Sequence, residues 1–193
     1  MGLYPNGGHQ VVSADERLNI FALVIYIPDP LGRFLDDLRR EVAPGCDPHA
    51  HVSVLPPRSL AGDWREASEE ARALTEGMPS FEIELNGLKQ FPVTEVVYIE
   101  LGKGASELHE LHANLNSGAL KSEEPFTYHP HVTLAQEIPR GDVAAVYSAA
   151  RRRWNEYRGP RRFRVERAVF VQGTMENRWI DLAEYCLGGV AVR

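Results

Sequence analysis

Two short stretches, 80 residues apart, say nearly the same thing. Pro48-His49-Ala50-His51-Val52-Ser53-Val54-Leu55 and Tyr128-His129-Pro130-His131-Val132-Thr133-Leu134-Ala135 each place a His, a Val and a small hydroxyl residue at the head of an apolar run. Each carries another His two residues earlier. Residues i and i+2 of a strand share a face. His51 and Ser53 therefore point one way, His131 and Thr133 do the same, and the valines between them point into the core. A chain that repeats this pattern must hold two strands in equivalent places, with two imidazoles available to one cleft.

The surrounding elements repeat as well. Asn19 to Ile27 is a β-branched apolar run and reads as a buried strand, ended by Pro28-Asp29-Pro30. Leu31 to Val42 has helical spacing. His51 to Leu55 is a short strand stopped by Pro56-Pro57. Asp63 caps a helix to about Thr75, with Glu66 in capping-box position. Phe81 to Leu88 and Glu95 to Leu101 read as strands. Ser106 caps a helix through Asn116, His131 to Ala135 is the counterpart strand, and Asp142 starts a helix running to Trp154. Phe163 to Val171 and Arg178 to Leu187 close the chain as strands. This order predicts an α+β fold: a duplicated β-α-β-α-β unit, with mostly antiparallel sheets.

Composition narrows the partners. The 193 residues carry a formal net charge of −6. A protein that coats long nucleic acid shows a basic excess, because phosphate neutralisation dominates affinity. The balance argues against tract binding and leaves room for a small nucleotide or an RNA end. No apolar run approaches the roughly 20 residues that span a bilayer. The polar residues 1–18 read as a loose lead-in to a single domain over 19–193. Cys46 and Cys186 are far apart and in no metal-type spacing, which suits a reduced, cytoplasmic protein.

His is the side chain best suited to moving protons near neutral pH. One neutral imidazole can take a proton from an attacking water or hydroxyl, while a protonated one delivers a proton to a leaving alkoxide. The Ser53 and Thr133 hydroxyls can donate to non-bridging phosphate oxygens as charge builds. This chemistry calls for no metal and no cofactor. The other readings are structural histidines on strand edges, a nucleotide or RNA-end binding module without turnover, and a metalloenzyme using His49, His51, His129 and His131 as a four-nitrogen site.

The HVSV and HVTL motifs resemble the paired His-x-Thr/Ser signatures of the 2H phosphoesterase superfamily, which includes 2′-5′ RNA ligase-like proteins and cyclic phosphodiesterases. The stretch Gly87-Leu88-Lys89-Gln90-Phe91-Pro92, followed by Val96-Val97-Tyr98-Ile99, is similar to the segment between the motifs. The resemblance covers Asn19 to Leu187. It implies a LigT-like fold of two pseudo-symmetric lobes around a central cleft, with His51, Ser53, His131 and Thr133 as a catalytic tetrad. The implied reaction is opening of a 2′,3′-cyclic phosphate on a nucleotide or RNA terminus to a 2′-phosphate, or the reverse joining of RNA ends. Ser53 stands where Thr is commoner, and His49 and His129 lie outside the signature.

Further candidates carry two readings each. Phe91 stacks on a base or anchors the core. Arg58 reaches a phosphate bidentately or is a solvated loop arginine. Tyr98 and Tyr128 read as core or interface residues, and His109 and His112 as helix-surface positions. Eight arginines between Arg151 and Arg167 form the only basic concentration, and a solvated face is the favoured reading.

Overall fold

A computed structural model describes residues 16–44 and 49–188. The elements run β1 (Arg17–Tyr26), α1 (Leu31–Val42), β2 (His51–Arg58), α2 (Trp64–Glu76), β3 (Phe81–Gln90), β4 (Val97–Leu101), α3 (Ala105–Leu115), β5 (His131–Ala135), α4 (Val143–Glu156), β6 (Arg162–Val165), β7 (Arg167–Thr174) and β8 (Trp179–Cys186), with a 3-10 turn at Gly118–Leu120. The α+β assignment holds. Residues 1–15 and Cys46 lie outside the described residues, and Arg17 and Leu18, assigned above to the lead-in, already belong to β1.

Local chemistry accounts for most of these elements. Leu31, Leu35, Leu38 and Val42 form the buried stripe of α1, spaced to share one helical face. The Asp63 carboxylate accepts from the Arg65 amide at 2.9 Å and caps α2. The start of α3 differs from expectation. Its cap is Gly104, at φ 89°, whereas the Ser106 hydroxyl sits inside the first turn and donates to Glu107. A Cβ on residue 104 would lie 2.7 Å from the Glu82 carbonyl oxygen, so close backbone approach demands glycine there.

Two four-stranded sheets result, ordered β2-β1-β7-β8 and β5-β4-β3-β6, with every adjacent pair antiparallel. The duplication is real, but its third strands are exchanged. β3 closes the first unit yet pairs with β4 of the second, and β7 pairs with β1 of the first. The single strand expected over Phe163–Val171 accordingly breaks at Glu166, with β6 in one sheet and β7 in the other. Core-facing residues change phase there, from Phe163 and Val165 to Ala168 and Phe170. β2 also runs on through Pro56-Pro57 to Arg58 instead of stopping. It is an edge strand with register shifts in this stretch, which is where proline is tolerated in a sheet.

The lobes interlock. Helix α1 packs against β5 and α4, and α3 against β2 and α2. One apolar cluster runs through both sheets and the helices between them. The opposite face of the first sheet carries a smaller cluster of Ala22, Val24, Val169 and Val171, flanked by Tyr26. The motif strands β2 and β5 are the edges of their sheets and approach each other.

Candidate active site

The two motif strands have the same register against their neighbours. His51 pairs with Tyr26, Val52 with Ile25, Ser53 with Val24 and Leu55 with Leu23. His131 pairs with Glu100, Val132 with Ile99, Thr133 with Tyr98 and Ala135 with Val97. Each strand therefore spends one extra residue immediately after the hydroxyl, Val54 or Leu134, in a β-bulge. Burial follows suit. The His and hydroxyl residues are half-buried, whereas Val52, Val54 and Leu55, and Val132, Leu134 and Ala135, are buried. Consecutive apolar residues at 54–55 and 134–135 are the sequence trace of the bulges, because a regular strand would put one of each pair on the His face.

The imidazoles are anchored alike. His51 Nδ1 lies 2.7 Å from the His49 carbonyl oxygen, and His131 Nδ1 lies 2.6 Å from that of His129. Donation from Nδ1–H to a carbonyl fixes the tautomer and leaves the lone pair on Nε2. The backbone of His49 and His129 does this work, and their rings do something else. The His49 ring stacks on Tyr26 at 3.6 Å, whose hydroxyl donates to Asp181 Oδ1 at 2.6 Å. The His129 ring meets Phe91 and Tyr98 edge-on, at 5.4 and 5.6 Å. Among the described residues no three His, Cys, Asp or Glu side chains converge as metal ligands, so the four-histidine metal arrangement is not formed.

Burial sets the proton affinities. Loss of solvation pushes the His51 pKa down to about 4, opposed by the bond to the His49 carbonyl and reinforced by the charges of Arg39, His49 and His131. Burial also lowers His131, against its bond to the His129 carbonyl. Both shifts favour the neutral imidazole.

The remaining candidates divide. Phe91 sits beside the second motif, stacked on Tyr98 at 4.1 Å and edge-on to His131 at 5.1 Å. Tyr98 itself is buried, 5.2 Å from the His131 ring. Arg58, read above as a phosphate ligand or a solvated loop residue, is instead buried among protein partners. Only 5% exposed, it donates to Pro56 O, Asn116 Oδ1 and Leu120 O, and pairs with Glu124 Oε1 at 2.6 Å. Because β2 continues through the two prolines, Arg58 is a strand residue rather than a loop residue. His112, expected on a helix surface, is buried. Its Nδ1 lies 2.8 Å from the Val54 carbonyl oxygen, and its ring stacks on Tyr128 at 3.8 Å. The arginine concentration disperses into separate contacts. Arg153 grips Glu41 at 2.8 and 2.9 Å, Arg161 lies over Trp154, and Arg167 meets Glu184. A cavity of about 520 Å³ lies between β3 and α4, and no residue of either motif lines it.

Two equivalent edge strands, each presenting an oriented imidazole and a hydroxyl, define the class to which this fold and site belong. The family model of the 2′-5′ RNA ligase superfamily matches residues 27–175, and the chain belongs to that superfamily, the 2H phosphoesterases. A provisionally named phosphoesterase of Geobacillus kaustophilus is 24% identical over 137 residues, covering 66% of this chain and 75% of that protein. A provisionally named phosphoesterase of Staphylococcus aureus is 30% identical over 99 residues, covering 50% of this chain and 58% of its own length. In fold, Escherichia coli LigT superposes with a TM-score of 0.63 at 19% identity, over 92% of this chain and all of that one. TT0787 of Thermus thermophilus gives 0.64 at 16% identity, covering 89% and 99%. Among the described residues no helix is long and apolar enough to cross a membrane.

Proposed function

We propose that the protein is a metal-independent phosphoesterase acting on the 2′,3′-cyclic phosphate of a nucleotide or an RNA end. The observation that carries this reading is the matched pair of imidazoles, each with Nδ1 tied to a backbone carbonyl two residues upstream. In hydrolysis, His51 Nε2 takes the proton of a water that attacks phosphorus. The bond from phosphorus to the 3′ oxygen breaks, and protonated His131 gives its proton to that oxygen. The products are a 2′-phosphate and a free 3′ hydroxyl. If the attacking group is the 5′ hydroxyl of another RNA end, the same transfers form a 2′-5′ bond. Ser53 and Thr133 donate to the non-bridging oxygens.

Burial keeps His51 neutral, the form in which a base starts; it lowers His131 as well, so near neutral pH the acid-competent form of the pair is the minority one. Phe91 offers its ring to the nucleobase next to His131. The solved complexes of Escherichia coli LigT with phosphate and with 3′-AMP agree with a nucleotide ligand for this fold.

The test is product analysis by phosphorus NMR with 2′,3′-cyclic nucleotides in excess chelator. The expected product is the 2′-phosphate. Because kcat/KM reports the free enzyme, its pH profile should be bell-shaped, with the acidic limb near pH 4 and the alkaline limb below the ordinary histidine value near 6.5. The two limbs belong to the coupled pair. Binding without turnover would favour the RNA-end binding module, and loss of activity to the chelator would overturn metal independence.

A further inference from the structure

Val54, the bulged residue of β2, lies between two tied carbonyls that face the second half of the chain. The Ser53 carbonyl accepts from the Tyr128 hydroxyl at 2.8 Å, and the Val54 carbonyl meets His112 Nδ1 at 2.8 Å. In a regular strand, successive carbonyls point to opposite edges. The bulge brings both under side chains from outside the sheet. The two donors form one unit, since the Tyr128 and His112 rings stack at 3.8 Å with planes 1° apart.

Behind them the unit is braced. His112 Nε2 lies 3.5 Å from Glu124 Oε2, and the other oxygen of Glu124 pairs with the buried Arg58. Arg58 in turn holds Asn116 and the Leu120 carbonyl, so the loop between α3 and β5 is clamped to β2.

Tyr128 immediately precedes His129, whose carbonyl orients His131. Ser53 lies two residues beyond His51 on the same strand. One hydroxyl therefore ties the backbone of the first motif to the lead segment of the second.

We propose that Tyr128, held in place by His112, is a positioning residue that sets the separation of the two catalytic imidazoles. The proposal rests on the two-histidine reading above. In-line proton transfer demands that both Nε2 atoms reach one phosphate, and displacement by about 1 Å costs on the order of a hundredfold in rate. Burial holds the Tyr128 phenol protonated, so the hydroxyl remains a donor across the working pH range.

Tyr128→Phe tests this, because it keeps the ring stack and removes only the hydroxyl. The control is Tyr185→Phe, which deletes another buried tyrosine hydroxyl bond, to Ser68 at 2.6 Å, away from both motifs. With a 2′,3′-cyclic nucleotide, Tyr128→Phe should lower kcat about ten- to a hundredfold, a larger change than in KM, the pattern of an interaction made more strongly in the transition state than in the ground state. Tyr185→Phe should lower the melting temperature by a similar amount and leave kcat unchanged.

A second measurement does not depend on turnover. Inorganic phosphate is titrated while the His51 and His131 ring resonances are followed by NMR. Both should respond with one Kd in the wild-type protein, and with a higher one in Tyr128→Phe. Wild-type kcat in Tyr128→Phe, or equal activity losses in the two variants, overturns the positioning role. If neither imidazole of the wild-type protein responds to phosphate, the phosphate-site reading itself fails, and the positioning role with it.

Discussion

The two motif strands are nearly superimposable in local design and unlike in what supports them. β2 and β5 share the same register, the same bulge after the hydroxyl and the same carbonyl anchor for the imidazole. Behind β2 lies a polar brace of Tyr128, His112, Glu124 and Arg58. Beside β5 lies an aromatic stack of Phe91 and Tyr98. The residues paired with the motifs differ likewise: Tyr26 and Val24 in the first sheet, Glu100 and Tyr98 in the second. Glu100 is joined to Lys89 at 2.5 Å, on the strand next to it. What is repeated is the part that chemistry on a phosphate would use twice. What differs is the packing that supports each strand: buried polar groups behind β2 and stacked rings beside β5.

The comparison can be broken first at the imidazoles. If both halves serve one reaction, His51→Ala and His131→Ala should each lower kcat by roughly 10²- to 10⁴-fold, with unchanged circular dichroism. Near-full activity in either variant would show that the two halves are not functionally equivalent.

Support is tested next, on the side that has the brace. Arg58→Ala leaves the largely buried Glu124 without its partner, and breaking a buried pair in this way costs about 3–5 kcal/mol. Urea unfolding should report that loss. A change below about 1 kcal/mol would mean that Glu124 finds water or another donor, and that β2 does not depend on the brace.

The smallest effect is expected on the aromatic side. Phe91→Ala should raise KM for a cyclic nucleotide by roughly one to two orders of magnitude, the equivalent of about 1–3 kcal/mol of base stacking, with kcat little altered. An unchanged KM would make Phe91 a packing partner of Tyr98 and nothing more.

How far the site was legible follows from how local each feature is. The positions of His51, Ser53, His131 and Thr133 on matching strand faces follow from two-residue periodicity, and helix α1 and strand β5 have the bounds read from the chain. The bulges left a trace in the paired apolar residues at 54–55 and 134–135, which strand alternation alone does not predict. The phase change between Val165 and Ala168 likewise marked the break between β6 and β7. Arg58 was misread because Pro56-Pro57 signals a turn in most settings, and only its place on a sheet edge lets the strand continue. His112 has no distinguishing pattern within its helix, since its burial comes from β2 and Tyr128.

By itself the sequence determined the elements, the duplicated motif and the side of each strand on which the imidazoles stand. These are properties of backbone geometry over a few residues, where side-chain direction repeats with a fixed period. The tertiary structure alone decided that the third strand of each unit crosses to the other sheet, that Arg58 is buried against Asn116, Leu120 and Glu124, and that Tyr128 joins the two motifs. Those outcomes depend on which polar groups lose water and which distant partner then satisfies them, and no local period encodes a partner 58 or 75 residues away.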